Sequence, residues 1–587
     1  MSASSAAIYA GLLRDTYPDA THAASWAWLL ERIHRYPHDK RIEPLKAPRG
    51  DDRAKPLVAL VLDIEGERES VAVRPARLTC FDGSTLTVLG MSDHEGDAAR
   101  VASALFSKAH RGALFVTWGG ARFDFHLMLR YWVRHWADAG YTVRPIAAEA
   151  DVRALVIGRG RNRWWLCDLQ VMTGLPAERL DELATTLGVV PQRSTPSAVY
   201  LHRVAAALQD WTLRTFGTRL RPTLGGLALA SARRTMPADL RRWRTPALGV
   251  TVCRDGQAFG GGYVFAQRYS GPAHKADVNR MYTWALSEPL PLSGGLGAWG
   301  ERGEGGQGIY MTRVVGPGTI PAYLSVWEGV PQGFARRYWS GDTCVALIPS
   351  HEFDGLRALG YRLYPSYGYQ FFGAWDMAAL ADTVLRVLRS EGRGSALAAI
   401  AKRAGAAVYG KLAERYQQTD AVFAVAAPSA EYLPFVDAGG NEVPYLWARR
   451  VDRYSAHQHI DVAAVITARA RSRLYEGIAD LTAAGGRVVA ADTDGLLTTI
   501  DPRPVLGDDA ETLGAWRYEG FDSHAIVARR KLYAFGSAAR AAGARIEDRR
   551  AVEWIARGEV VELHGKRIAP GWLPGAIVRD RTVRLRR

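Results

Sequence analysis

The sequence predicts a multidomain chain, α/β at first and α+β afterwards, and three observations carry that prediction. At 587 residues it is several times longer than one ordinary domain of roughly 100–200 residues. Over residues 60–220 apolar strands alternate with helically spaced segments, the order expected of strands and helices packed in layers. Beyond residue 259 the alternation gives way to short strands, long helices and one strand–turn–strand unit, RVVAADTDGLLTTI (487–500).

In chain order, residues 1–55 are polar, with one helical stretch, ASWAWLLERIHRY, before the basic linker KAPRGDDRAKP. PLVALVLDIEG is an apolar strand running into Asp63 and Glu65. ALFVTWGGARFDFHLMLRYWV predicts a strand, a glycine turn and a helix with Asp124 near its start, and RWWLCDLQVM a further strand. PAERLDELATTLGVV, YLHRVAAALQDWTLRTF and a stretch near 220–245 have helical spacing. The glycine run FGGGY (259–263) opens a second region, and GPAHKADVNRMYTWALSEP follows as strand, loop and helix. Residues 300–370 look like short strands and loops, and 374–415 are strongly helical. DAGGNEV (437–443) has the chemistry of a hairpin tip. DVAAVITARARSRLYEGIADL predicts a long helix.

Composition narrows the function. Hydrophobic residues at 48% and charged residues at 23% describe a globular chain. Lys and Arg number 75 against 60 Asp and Glu, a net charge of +15. Such a balance favours a polyanionic partner, nucleic acid or an anionic membrane surface, although a basic surface can be indifferent. Only nine of the basic residues are lysines, so each lysine position is informative. Cys80, Cys167, Cys253 and Cys344 lie far apart, which excludes a zinc ribbon and a disulfide framework. The opening MSASSAAIYAGLLRDTYPD lacks a signal-peptide core, and no apolar run nears the roughly 20 residues of a membrane span. A soluble intracellular protein is expected.

Three segments carry candidate chemistry. In AADTDGL, Asp492 and Asp494 stand two apart at a strand tip and share a face, an arrangement that wants a cation, although acidic turn tips are common. Asp277, at the end of a short strand before a helix, could complete a hard-cation site or merely cap that helix. In AKRAGAAVYGKL, Lys402 and Tyr409 share one helix face two turns apart, with Gly410 next in the chain. That lysine could hold a phosphate, and an amphipathic helix with one exposed lysine is the alternative.

In this order the segments resemble the motifs of B-family DNA polymerases, in particular the compact protein-primed branch of phages and linear plasmids. Asp277-Val278-Asn279-Arg280-Met281-Tyr282 is similar to motif A (DxxSLYP), Lys402 to Gly410 to motif B (KxxxNSxYG), and Asp492-Thr493-Asp494 to motif C (YxDTDS). Lys531-Leu532-Tyr533 resembles the KxY motif, and Phe259-Gly260-Gly261-Gly262-Tyr263 the YxGG motif. ITARAR (466–471) and LGAW (513–516) add to the likeness. The chain departs from the pattern at Ala406-Ala407 for Asn-Ser, Ala490 for Tyr, Gly495 for Ser, and Arg280 and Thr283 for Ser and Pro.

The resemblance implies a right-hand polymerase with palm, fingers and thumb behind a ribonuclease H-like 3′–5′ exonuclease domain. It implies two magnesium ions, replaceable by manganese, on Asp277, Asp494 and the Val278 carbonyl, with Asp492 completing the acidic cluster. Lys402 and Arg389 would neutralise phosphate charge, Tyr282 would lie under the sugar, and Tyr409 would pack on the nascent base pair. Lys531, Tyr533, Gly261, Gly262 and Tyr263 would hold primer and template DNA. Asp63 and Glu65 resemble the DxE of the exonuclease, Asp124 the end of its NxxFD motif, and Tyr200 the start of its YxxxD motif. Gly120 replaces the Asn of the second of these and Val204 the Asp of the third, so weak or absent proofreading is expected unless Asp210 substitutes.

The expected domains are an N-terminal extension (1–55), an exonuclease-like domain (56–245) and palm segments at 246–299 and 457–535. Palm and fingers fill 356–412, and 536–587 would form the thumb. Residues 300–355 and 413–456 resemble the two insertions of the protein-primed branch. Partners implied are DNA, deoxynucleoside triphosphates and a terminal priming protein, without membrane. A monomer in the bacterial host cytoplasm, associated with the nucleoid during replication, is implied. Two other readings stand beside this one: a non-catalytic DNA-binding descendant, and a polymerase that uses a nucleic-acid primer or primes itself.

Overall fold

The computed structural model describes residues 29–31, 33 and 56–585, except 67–72, 93, 122, 149–150, 192–196, 237–246, 256, 293–297, 303–305, 328–333, 340, 372, 393, 415–416, 437–441, 453–458, 542–548 and 570–576. The N-terminal linker, the tip DAGGN and the end of the stretch near 220–245 lie outside the described residues.

Strand β1 (Leu57–Glu65) is the centre of the first domain. Its period-two alternation sends Val58, Leu60 and Leu62 into one core and Leu57 and Ala59 into another on the opposite sheet face. β2 (Arg74–Phe81) pairs antiparallel with it and carries β3 (Leu86–Gly90) at the edge. β4 (Leu114–Thr117) lies parallel to β1 on the other side and leads into helix α1 (Asp124–Tyr131). β5 (Thr142–Ala148), β6 (Asp151–Arg159) and β7 (Asn162–Asp168) form a meander whose last strand runs parallel to β4. Helices α2 (Leu180–Thr186), α3 (Ala198–Phe216) and α4 (Leu224–Thr235) follow. Ser197 starts α3 by accepting the Tyr200 N–H, and Gly217, at φ 64°, ends it in the left-handed conformation that favours glycine. The apolar face of α3 packs on β1.

The second sheet begins with β8 (Val264–Ala266) and β9 (Tyr269–Val278), after which helix α5 (Met281–Ser287) starts. Strands at Ala298–Glu301, Gly308–Val315, Thr343–Pro349 and Arg362–Gln370 then make a separate four-stranded antiparallel sheet. Helices α6 (Ala378–Ser390) and α7 (Ala396–Leu412) form an antiparallel pair whose α7 packs along α4. β10 (Gln417–Phe423), β11 (Leu433–Val436) and β12 (Glu442–Asp452) return to the first domain, where Phe423 pairs with Val143. The first sheet thereby reaches ten strands, in the order β11-β12-β10-β5-β6-β7-β4-β1-β2-β3.

Helix α8 (Ile460–Ala483) is buried around most of its circumference, taking Asp461, Arg469 and Arg471 inside with its apolar residues. It is followed by β13 (Val488–Asp492), β14 (Gly495–Thr498), β15 (Trp516–Arg529), β16 (Leu532–Phe535) and β17 (Ala538–Ala541). These complete a seven-stranded sheet in the order β17-β16-β15-β9-β14-β13-β8. A short helix (Arg549–Arg557) and a two-stranded hairpin (Val561–Ala569 with Ile577–Leu585) end the described chain. One continuous core joins α3, α7, α8 and the central strands, so the first domain and the second sheet share packing.

Candidate active site

The second sheet brings the three acidic positions to one level. Gly495 on β14 lies between Asp277 on β9 and Asp492 on β13, pairing with both. The turn between is tight: Thr493 has φ 71°, its N–H donates to the Tyr263 carbonyl at 2.8 Å, and the Asp494 N–H donates to the Asp492 carbonyl at 2.8 Å. The Val278 N–H donates to the Asp494 carbonyl at 2.7 Å, which ties the two candidate metal-ligand segments together through backbone.

Gly495 explains one departure from the motifs. A Cβ there would lie 2.0 Å from Asp277 Oδ1, so the carboxylate occupies the volume a serine would need. Burial, assisted by Glu519 and Asp494 and opposed by Lys275, pushes the Asp277 carboxyl up to about 7. Burial and the charge of Asp492 raise Asp494 as well, against its own backbone N–H and Lys402. Asp277 is largely covered and Asp494 stands exposed at the turn, and two neighbouring carboxyls whose ionised forms are disfavoured fit a site that takes cations. Asp492 points elsewhere, 3.2 Å from Lys531 Nζ and 3.4 Å from the Tyr533 hydroxyl. Among the described residues no set of three or more His, Cys, Asp or Glu is arranged to hold a metal.

The structure adds charged neighbours that the motifs did not name. Lys275 Nζ lies 2.5 Å from Glu519 and 3.9 Å from Asp277. Arg517, opposite Asp277 on β15, reaches within 3.8 Å of it and also pairs with Glu519. Burial pushes Glu519 up, but Lys275, Asp277 and Arg517 together hold it below its ordinary value. Lys275 was legible: it is one of nine lysines and shares the strand face of Asp277 at i−2. Glu519 and Arg517 arrive across strands, with no local signal.

Tyr282 stacks on Tyr409, ring centroids 4.4 Å apart and planes at 17°. A Cβ at Gly262 would fall 2.8 Å from the Tyr282 hydroxyl and 2.8 Å from the Thr493 methyl, so the glycine turn, the tyrosine pair and the DTD turn converge. Gly261 accepts a bond from Arg471 Nη1 at 2.8 Å, and Arg471 is locked to Glu352 in a fully buried ion pair at 2.5 Å. Tyr263 is fully buried, its hydroxyl donating to the Pro321 carbonyl, so it supports the turn from behind. Lys402 on α7 is exposed and close enough to Asp494 to lower its carboxyl. Arg389 lines a cleft of 280 Å³ with Arg280, Glu511 and Gly392.

LGAW is likewise explained by packing. Gly514 (φ 76°) makes room for Trp284, and Trp516 packs on Gly477 of α8. Asn279 donates to the carbonyls of Ala510 and Thr512, at 2.9 and 2.8 Å, which stitches the turn before α5 to this loop.

The carboxylates of the first domain present a different picture. Asp63 is paired with Arg77 at 2.7 Å and Glu65 with Arg74 at 2.8 Å, both across β1–β2. Asp124 opens α1. The Tyr200 hydroxyl donates to Asp181 at 2.7 Å, Val204 is fully buried, and Asp210 is exposed on α3. A Cβ at Gly120 would sit 2.2 Å from Thr117 Oγ1, so the chain there has closed over the place of an Asn side chain. Asp168, fully buried and missed in the sequence, accepts the backbone N–H groups of Gly119, Ala121 and Gln170.

The architecture is shared with a DNA polymerase of known structure. Phi29 DNA polymerase with primer-template DNA and incoming nucleotide substrates superposes with a TM-score of 0.66 at 15% identity, covering 90% of this chain and 99% of that one. Its orthorhombic crystal form gives 0.63, and its complex with single-stranded DNA 0.60, each at 15% identity with the same coverage. At that identity the likeness is one of fold. No protein-family model matches the chain, and no curated protein does.

Proposed function

We propose that the protein is a template-directed DNA polymerase that adds deoxynucleotides to a 3′-hydroxyl, with the second sheet as palm, α6–α7 as fingers and the C-terminal hairpin as thumb. What supports this reading is the backbone bond between Val278 and Asp494, which ties together the strand and the turn bearing two carboxyls raised above their ordinary values, with Lys402 near Asp494. Asp277, Asp494 and the Val278 carbonyl would hold magnesium or manganese, which supplies charge stabilisation at the attacking oxygen and the triphosphate. Lys402, with Arg389, offsets negative charge on the phosphates. Tyr282, backed by Tyr409, sets the floor under the sugar. Lys531 and Tyr533 bind the primer strand, and the backbone of Gly261 and Gly262, held by Arg471, lies close to the template.

On this reading the chain acts as a monomer on DNA in a bacterial host's cytoplasm. Among the described residues no helix is long and apolar enough to cross a membrane. Protein priming is supported by the two additions between the motifs, the four-stranded sheet of 298–370 and the β10–β12 unit. The first domain has the layered strands and helices of a ribonuclease H-like exonuclease, with its hydrolytic site degraded.

Primer extension with magnesium tests the reading. Wild-type protein should extend, and Asp277→Asn and Asp494→Asn should not, while duplex binding stays within about twofold because Arg and Lys contacts to phosphates dominate affinity. Transfer of a labelled nucleotide to a small protein separates protein priming from a nucleic-acid primer. A non-catalytic DNA-binding role is favoured only by the cations Lys275 and Arg517 beside Asp277, and wild-type extension would dismiss it.

A further inference from the structure

Helix α7 presents Lys402 and Tyr409 to the candidate active site, and its opposite flank lies along the first domain. Gly394, at φ 95°, turns the chain into α7 in a conformation that favours glycine. Its carbonyl accepts Nη2 of Arg179 at 2.5 Å. The same guanidinium forks onto the carboxylate of Glu182 on α2, at 2.6 and 2.5 Å. The backbone N–H of Ala396, the first residue of α7, lies close enough to Glu182 to help hold its carboxyl below its ordinary value, after Arg179. Ser395 caps the helix from within by accepting the Ala398 N–H at 3.2 Å.

A helix start leaves four N–H donors without partners in the helix and carries a partial positive charge. Here one donor is met by the helix's own cap, and a carboxylate from a different domain stands near another. The contact continues along α7. Arg403, beside Lys402, lies over Gly174, where a Cβ would come within 3.3 Å of its side chain. Lys411 lies over Gly225, with 3.6 Å to an added Cβ. The first domain therefore touches α7 at its start, middle and end.

We propose that Arg179 and Glu182 are positioning residues for nucleotide addition, latching the start of α7 and so fixing the height of Lys402 and Tyr409 against Asp494 and Tyr282. Lys402 is six residues from Ala396, about 9 Å along the axis at 1.5 Å per residue, so a shift at the helix start passes to the lysine with little loss. This inference rests on the polymerase reading. A domain without nuclease chemistry thereby serves synthesis.

The test is steady-state single-nucleotide insertion by the full-length protein, with thermal unfolding and amide hydrogen exchange measured in parallel. Arg179→Ala and Glu182→Gln should raise the nucleotide KM roughly three- to tenfold with kcat within about twofold, and should speed exchange over residues 396–403. Arg179→Lys keeps one donor for the Gly394 carbonyl and should recover much of the loss. Unchanged KM in a stably folded variant overturns the latch, as does unchanged exchange. A parallel fall in kcat and melting temperature with KM constant also overturns it, since the contact would then only hold the domain together. Wild-type protein that cannot extend a primer defeats the polymerase reading alone, and exchange at α7 still judges the latch.

Discussion

Gly495 is a position where restoring the usual motif residue should destroy activity. Its Cβ would stand 2.0 Å from Asp277 Oδ1 and 3.4 Å from the Ala276 carbonyl. An ordinary carbon–oxygen contact of about 3.3 Å requires the carboxylate to withdraw by roughly 1.3 Å. Withdrawal is cheap for folding, because turning the Asp277 side chain about its own bonds costs on the order of 1 kcal/mol. For catalysis it is expensive, since a misplacement of about 1 Å costs on the order of a hundredfold, or about 2.7 kcal/mol. Gly495→Ser and Gly495→Ala should therefore both lose roughly a hundredfold in kcat/KM for single-nucleotide insertion while melting within a degree or two of wild type. The alanine variant separates the steric effect from any effect of the hydroxyl. Insertion within about threefold of wild type by either variant would refute the reasoning, and so would a large drop in melting temperature.

Three further outcomes are expected. The Asp277 carboxyl is raised in the folded protein, so its contribution to metal-free stability is present at low pH and is lost as pH rises from about 4 through 7. The stability of Asp277→Asn relative to wild type should accordingly grow over that window and level off above it, as read by thermal unfolding in chelator; a constant difference would contradict the burial argument. Tyr282→Val should raise ribonucleotide incorporation roughly tenfold or more; unaltered sugar choice in a folded variant would make Tyr282 a core aromatic. Digestion of a mismatched 3′ end should be weak or absent, and Val204→Asp alone should not restore it, because Arg77 and Arg74 already hold Asp63 and Glu65 and the chain at Gly120 has closed on Thr117. Efficient digestion that disappears in Asp63→Ala would show this wrong.

Local pattern made the elements legible. β1, the turn at Asp492–Asp494, the 24-residue helix α8 and the pair α6–α7 follow from apolar spacing, because each buries one face or all of itself. The joining of β10–β12 to the first sheet was not legible, since Phe423 and Val143 are 280 residues apart in the chain and only the fold pairs them. The same holds for the site. Asp277, Asp494 and Lys402 stand out by residue type and spacing, and Lys275 could have been found by strand parity. Glu519, Arg517 and the buried pair of Arg471 and Glu352 could not, because their partners are set by cross-strand register and by packing of α8.

The departures from the motifs become intelligible as contacts. Gly495 yields its side-chain volume to Asp277. Ala490, where the motif has tyrosine, is buried in a small cluster with Val489, Leu497, Val527 and Tyr533, and that cluster seats Tyr533 against Asp492. Thr283, where proline is usual, lies under Gly405 of α7, whose Cβ would come within 2.7 Å of the threonine hydroxyl. Such paired adjustments keep α5 and α7 in close approach and leave the carboxyls in place, which is the pattern of a site repacked around working chemistry. Both carboxyls at positions 277 and 494 are held above their ordinary values, although only Asp277 is largely covered and Asp494 stands exposed at the turn, so each disfavours its ionised form until a cation offsets it. In the first domain the contrast is direct: its acids at positions 63 and 65 are bound by arginines at the surface, and the buried Asp168 accepts backbone N–H groups.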